Sequence, residues 1–138
     1  EIIDALNWFY ENRRSDRVVE KEGYVMILAE SKIRDTIIGT LASLLAKSNV
    51  YPDGTIILSS AYTLDGMIKI SLRITGEASD DVDLRQIVKD IVSDGDGYGG
   101  GHKLAAGASV PQEREADMIR NALASLDKYA DNKPLEKP

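Results

Sequence analysis

Between Tyr24 and Ile74 the apolar residues change period twice, and a chain that does this must pack helix on sheet. Tyr24-Val-Met-Ile-Leu-Ala29 is a continuous apolar run behind Gly23. Its length and flanks are those of a buried strand. Ile37, Ile38, Leu41, Leu44 and Leu45 then recur at helical spacing, which predicts a helix over 34–47 packed on that strand. Pro52 and Asp53-Gly54 mark a turn. A second apolar run starts at Thr55 and extends to about Tyr62, and Met67–Ile74 alternates apolar with polar. Asp65-Gly66 between them suits the positive φ values of a type I′ hairpin turn. Side chains two apart on a strand share a face. Met67, Lys69, Ser71 and Arg73 therefore share one face, while Ile68, Ile70, Leu72 and Ile74 point into the core.

The flanking segments extend the same pattern. Ile2, Ile3, Leu6, Phe9 and Tyr10 predict a short amphipathic helix over 2–12, followed by a polar linker over 11–17. Asp83 suits the N-cap of a helix over 84–93, with Gln86 as its capping-box partner. A short strand at 105–110 precedes a last helix that begins at 111–115, with a buried stripe of Ile119, Ala122, Leu123 and Leu126. The expected fold is a single α/β domain with a mixed sheet of about five strands and helices packed on it.

Five of the eleven glycines fall between Gly95 and Gly101, followed at once by the only histidine, His102. Glycine allows positive φ and close approach to a ligand. Successive free N–H groups in such a run can cradle an anion, and histidine adds a donor that can become cationic near neutral pH. The run reads as a loop, with Leu104-Ala-Ala opening a buried strand behind it. The competing reading is a flexible surface loop carrying a solvated histidine. Gly-x-Gly-x-x-Gly can almost be forced onto 95–100, but here it follows a helix and precedes a strand, the reverse of a dinucleotide-binding turn. Neither a Walker-type loop nor a Gly-x-Ser-x-Gly elbow is present.

One histidine and no cysteine exclude multi-histidine and thiolate metal sites. An all-carboxylate site around Asp80, Asp81 and Asp83 competes with a solvated acidic loop leading to an N-cap. The absence of cysteine fits an intracellular, cytoplasmic setting, and no apolar stretch reaches membrane-spanning length. The net charge of −6 argues against a broad DNA-coating surface. It leaves room for a small pocket holding one or two phosphates or a strand end. An outward Arg73 could hold such a phosphate by paired hydrogen bonds; the alternative is an arginine paired with a nearby acid.

Gly99-Gly-Gly-His-Lys-Leu-Ala-Ala-Gly107 resembles the Gly-Gly-Gly-His signature of the DHH-associated domain, the substrate-binding domain of DHH phosphoesterases. The His-x-x-Ala-Ala-Gly form is especially like archaeal RecJ-like exonucleases. Gly39-Thr-Leu-Ala42 is similar to the family's glycine-bearing helix, and Ser71-Leu-Arg73-Ile to its strand presenting a substrate-contacting Ser-x-Arg. The resemblance covers roughly residues 20–127. It implies that Ser71, Arg73, Gly99, Gly100, Gly101 and His102 contact single-stranded nucleic acid or a short oligonucleotide. It also implies a DHH catalytic domain in cis holding two Mn2+ ions. No Asp-His-His motif occurs in this sequence, so the chain is expected to bind and not to cleave. Residues 1–17 then read as connector helix and linker, 18–130 as the substrate-binding domain and 131–138 as a disordered tail. Two alternatives remain at this level: the related tRNA-binding domain of alanyl-tRNA synthetase, and a replisome docking module without nuclease activity.

Overall fold

The structure, a computed structural model, describes residues 1–77, 81–93, 95 and 97–132. Its six-stranded mixed sheet has the order β1-β2-β3-β4-β6-β5. The strands are β1 Val18–Lys21, β2 Tyr24–Leu28, β3 Ile56–Tyr62, β4 Met67–Ile74, β5 Tyr98–His102 and β6 Ala105–Pro111. Among the described residues only β2 and β3 pair in parallel. They are the two continuous apolar runs, joined through helix α2 (Asp35–Lys47), and a parallel pair requires such a crossover.

The sheet is covered on both faces. Ile68, Ile70, Leu72 and Ile74 of β4 join Ala106, Ala108 and Val110 of β6 under α3 (Leu84–Ile91) and α4 (Glu115–Asn132). On the other face Val25, Ile27, Ile57 and Ala61 pack beneath α2 and α1 (Ile2–Asn12). On α1 the buried residues are Ala5 and Phe9, while Ile3 and Tyr10 face outward. On α2 they are Ile38, Leu41, Ala42 and Leu45, leaving Leu44 exposed. Along α4 the fully covered stripe is Met118, Ala122 and Leu126, with Ile119 and Leu123 at its margin.

Two strands depart from expectation. β1 is short and half charged, which conceals it in the sequence, yet a charged four-residue strand suits a sheet edge. β5 is the other edge and corrects the reading of 95–102 as a loop: Tyr98–His102 runs antiparallel to β6. Lys103-Leu104 is the turn between them, so Leu104 is exposed and opens no strand. The β3–β4 connection also differs from type I′. Gly66 has φ +82, but Asp65 does not have positive φ, and the Thr63 N–H bonds the Met67 carbonyl. That is a three-residue loop with glycine in the left-handed position.

Asp83 caps α3 as expected, accepting from the Arg85 N–H at 3.0 Å. Its partner is the Arg85 guanidinium, at 2.8 and 2.9 Å, rather than Gln86. These bonds hold the Asp83 carboxyl at about 2, below the ordinary carboxylate range. Asp83 is thus one arm of a cap, and among the described residues it joins no metal-holding cluster; Asp80 lies outside the described residues. A depressed folded-state pKa stabilises the fold above the unfolded value and ceases to do so as pH falls through the folded one. Asp83→Asn is therefore expected to lower the urea midpoint slightly at pH 6, and the gap to the parent should close as pH falls through about 2. Salt should shrink it too, because the pair is exposed.

α4 continues through Asp131 to Asn132, and the rest of the expected tail, 133–138, lies outside the described residues. No helix of the described residues is long and apolar enough to cross a membrane.

Candidate functional site

The sheet register sets the site. Ile57, Arg73, Ala105 and His102 lie in one row across β3, β4, β6 and β5. Ser59, Ser71, Gly107 and Gly100 form the next row, and Ala61, Lys69, Ser109 and Tyr98 the third. All three rows face the α2 side, since their neighbours along β4 and β6 fill the α3–α4 core. A cleft of about 590 Å³ opens there over β4, β6 and β5, within the range that holds small ligands. Its floor is Ala105, Gly107 and Ser109, one wall carries Lys69, Ser71 and Arg73, and Asp35 and Gly39 of α2 overhang it.

Small residues bring α2 down onto the β3–β4 wall. The Ser59 hydroxyl donates to the Ile38 carbonyl at 3.2 Å. A Cβ on the next residue, Gly39, would stand 3.3 Å from Ser71 Oγ and 3.9 Å from Arg73 Nη2. Ser43, one turn further along α2, accepts a hydrogen bond from Arg73 Nε at 3.1 Å. Arg73 Nη1 donates to the Leu72 carbonyl at 2.8 Å and the Ala106 carbonyl at 3.4 Å.

All three acceptors of Arg73 are neutral. Among the described residues Arg73 and Lys69 make no ion pair. The reading of Arg73 as an arginine paired with a nearby acid therefore does not hold among the described residues. Ser71 is buried, yet its hydroxyl keeps access to the cleft and has no protein partner among the described residues. A pinned guanidinium with no ion-pair partner among the described residues, beside an unengaged hydroxyl, is an arrangement suited to an anion.

The glycines divide by face. A Cβ on Gly99 would lie 2.5 Å from Val88 Cγ1 and 2.6 Å from the Gly107 carbonyl oxygen. One on Gly101 would lie 2.7 Å from both the Ala105 oxygen and the Ala106 Cα. These two glycines let β5 lie close on α3 and β6. Gly100 has nothing within 4 Å and no positive φ, so neither packing nor backbone conformation requires glycine there. Its bare backbone lines the cleft.

Of the residues expected at the site, Ser71, Arg73, Gly99, Gly100 and Gly101 line this cleft. His102 is exposed in the Arg73 row, about 10 Å away across two strand spacings, and does not line it. Sequence reasoning missed Ser43 and Tyr98. The spacing of Asp35, Gly39 and Ser43, four residues apart on one helix face, was the available signal for the first. Among the described residues no three or more His, Asp or Glu side chains gather into a metal-holding cluster.

A family model of the DHHA1 domain matches residues 22–132. The chain belongs to the DHHA1 domain family. Such domains occur in DHH phosphoesterases such as RecJ and in the C-Ala domain of alanyl-tRNA synthetase. The fold superposes on the C-Ala domain from the Aquifex aeolicus synthetase with TM-score 0.61 at 14% identity, covering 83% of this chain and 98% of that one. Against RecJ of Thermus thermophilus in complex with Mn2+, the TM-score is 0.61 at 15% identity, over 96% of this chain and 17% of that one. Against PggH of Vibrio cholerae, a pGpG-specific phosphodiesterase, it is 0.57 at 11% identity, over 88% and 39%. This DHHA1 domain thus spans a whole C-Ala domain but well under half of RecJ or PggH. At these identities the likeness is one of fold. No curated protein matches the chain in sequence.

Gly39 gives the cleft a separable test. Alanine is favoured over glycine inside a helix by up to about 1 kcal/mol, and only the Ser71 hydroxyl is crowded by the added carbon. Gly39→Ala is therefore expected to melt within a few degrees of the parent while weakening anion binding. Thermal melts and phosphate-competition titrations on the same preparation check both halves.

Proposed function

We propose that this DHHA1 domain is the nucleic-acid-gripping part of a RecJ-like DHH phosphodiesterase of the kind found in archaeal exonucleases, and that it holds a single-strand end or short oligonucleotide. The observation that carries this reading is Arg73, fixed by three neutral acceptors, facing no carboxylate partner among the described residues and aimed with Ser71 at an open cleft. Arg73 binds and orients a terminal phosphate, Ser71 supplies a neutral hydrogen bond, and Gly100 lets the sugar–phosphate backbone approach the strand closely. His102 adds a donor at the rim. Manganese chemistry belongs to a DHH domain outside this chain. The small cleft on an acidic surface suits one strand end better than a long duplex.

A second reading is supported by the 98% coverage of the C-Ala domain: a tRNA-binding appendage. Titrating the chain with labelled single strands of DNA and RNA, with and without a 5′-phosphate, and with tRNA tests both. The proposal expects binding that weakens when the phosphate is removed. Indifference to the phosphate would overturn it, and preference for tRNA over every short strand would favour the second reading.

A further inference from the structure

The far end of the cleft carries an unoccupied aromatic surface. Tyr98 is 68% exposed although it sits on a strand and lines the cleft. Among the described residues its ring has no aromatic neighbour and its hydroxyl no hydrogen bond. Its surroundings leave the ring open: the next two residues, Gly99 and Gly100, have no side chain, and Ser109 is its small partner on β6. In the same row, across β6, stands Lys69. The Tyr98 and Arg73 backbones lie four residues along the strands and two strands apart, or about 16 Å.

From this we infer that Tyr98 is a stacking platform for a nucleobase, so that the cleft reads a strand end at two points. Arg73 and Ser71 take the phosphate and Tyr98 takes the face of a base within the first three nucleotides, with Lys69 beside it to meet a following phosphate. Every base has a π-face, so such a platform tolerates any sequence. The chemistry recognised is a phosphorylated strand with at least one base, not phosphate alone. This inference rests on the proposed nucleic-acid function.

The test uses the chain, a labelled 5′-phosphorylated pentanucleotide, and three versions of it lacking the first, second or third base. Tyr98→Ala is expected to bind the intact strand about 5- to 100-fold more weakly than the parent, and Tyr98→Phe close to parental. For one abasic strand the parent should already be weakened and Tyr98→Ala should cost nothing further, the coupling that marks a direct contact. If Arg73→Ala weakens binding while Tyr98→Ala leaves it unchanged, the platform is overturned and the proposed function stands. Equal losses for Tyr98→Ala on intact strand and on all three abasic strands would also overturn it. If the parent binds no strand, the proposed function falls and the platform with it.

Discussion

Gly101→Ala is expected to melt on the order of 10 °C below the parent, and Gly100→Ala to melt with it. Gly101 has φ +136, which L side chains rarely adopt, and a Cβ there would press on the backbone of Ala105 and Ala106 at 2.7 Å. Backbone strain costs about 1–3 kcal/mol and overpacking another 1–3. Part of this is relieved if the edge strand peels away, so about 3 kcal/mol is a fair expectation, equivalent to roughly 10 °C in a domain of this size. Gly99→Ala meets Val88 Cγ1 and the Gly107 oxygen without the φ penalty and should fall between the two. Thermal melts of the three alanine variants check the order. Equal melting of all three would mean that β5 does not pack against α3 and β6 as described.

The same division explains what was legible in the sequence. β2, α2, β3 and β4 were readable because their burial is one-sided or complete and leaves a period of two or 3.6. α3 was readable from its cap and its apolar face. β5 was not, since a strand of glycines carries no hydrophobic alternation and glycine is depleted in strands. What makes it a strand is tertiary: pairing with β6 and the close approach of Val88. One trace was present, in that Gly97, Gly99 and Gly101 recur with the strand period, and a Cβ on Gly97 would also clash, at 2.7 Å from Val110 Cγ1. For the site, the face shared by Lys69, Ser71 and Arg73 followed from alternation alone. That Arg73 would be held by Ser43 and by carbonyls, instead of an acid, depended on how closely α2 descends at Gly39; the four-residue spacing of Asp35, Gly39 and Ser43 marks the helix face involved but not its distance from β4.

The glycine run therefore has a different physical meaning from an anion nest. Its alternate members Gly97, Gly99 and Gly101 are conditions of packing, and the cation that the proposed site relies on stands on β4, two strands away. Helix α2 packs over β3 and β4, and the same face is open over β6 and β5 beyond it. The tight β5–β6 hairpin is fixed from the other side, where the Leu84 N–H at the start of α3 bonds the Lys103 carbonyl at 2.7 Å.

Arg73→Ala is expected to weaken binding of a 5′-phosphorylated single strand about 10- to 100-fold, corresponding to the roughly 1.5–3 kcal/mol of a hydrogen bond to a charged group. Stability should change little. The guanidinium is only partly covered and contributes no apolar core, and its bonds to the Ser43 hydroxyl and the Leu72 and Ala106 carbonyls are part-buried, with Arg73 and Ala106 lining the open cleft. Arg73→Lys keeps the charge but loses the planar fork, so it should recover part of the affinity and none of the Ser43 geometry. The salt dependence separates this from a diffuse effect. One phosphate contact fewer should reduce the slope of log affinity against log salt by somewhat under one unit. Anisotropy titrations of parent, Arg73→Ala and Arg73→Lys at three salt concentrations, each with and without the 5′-phosphate, give all of these at once. On the phosphorylated strand the variants should differ from the parent, and on the unphosphorylated strand they should converge with it. An equal loss on both strands would place Arg73 on an internal phosphate, and no loss on either would remove it from the site.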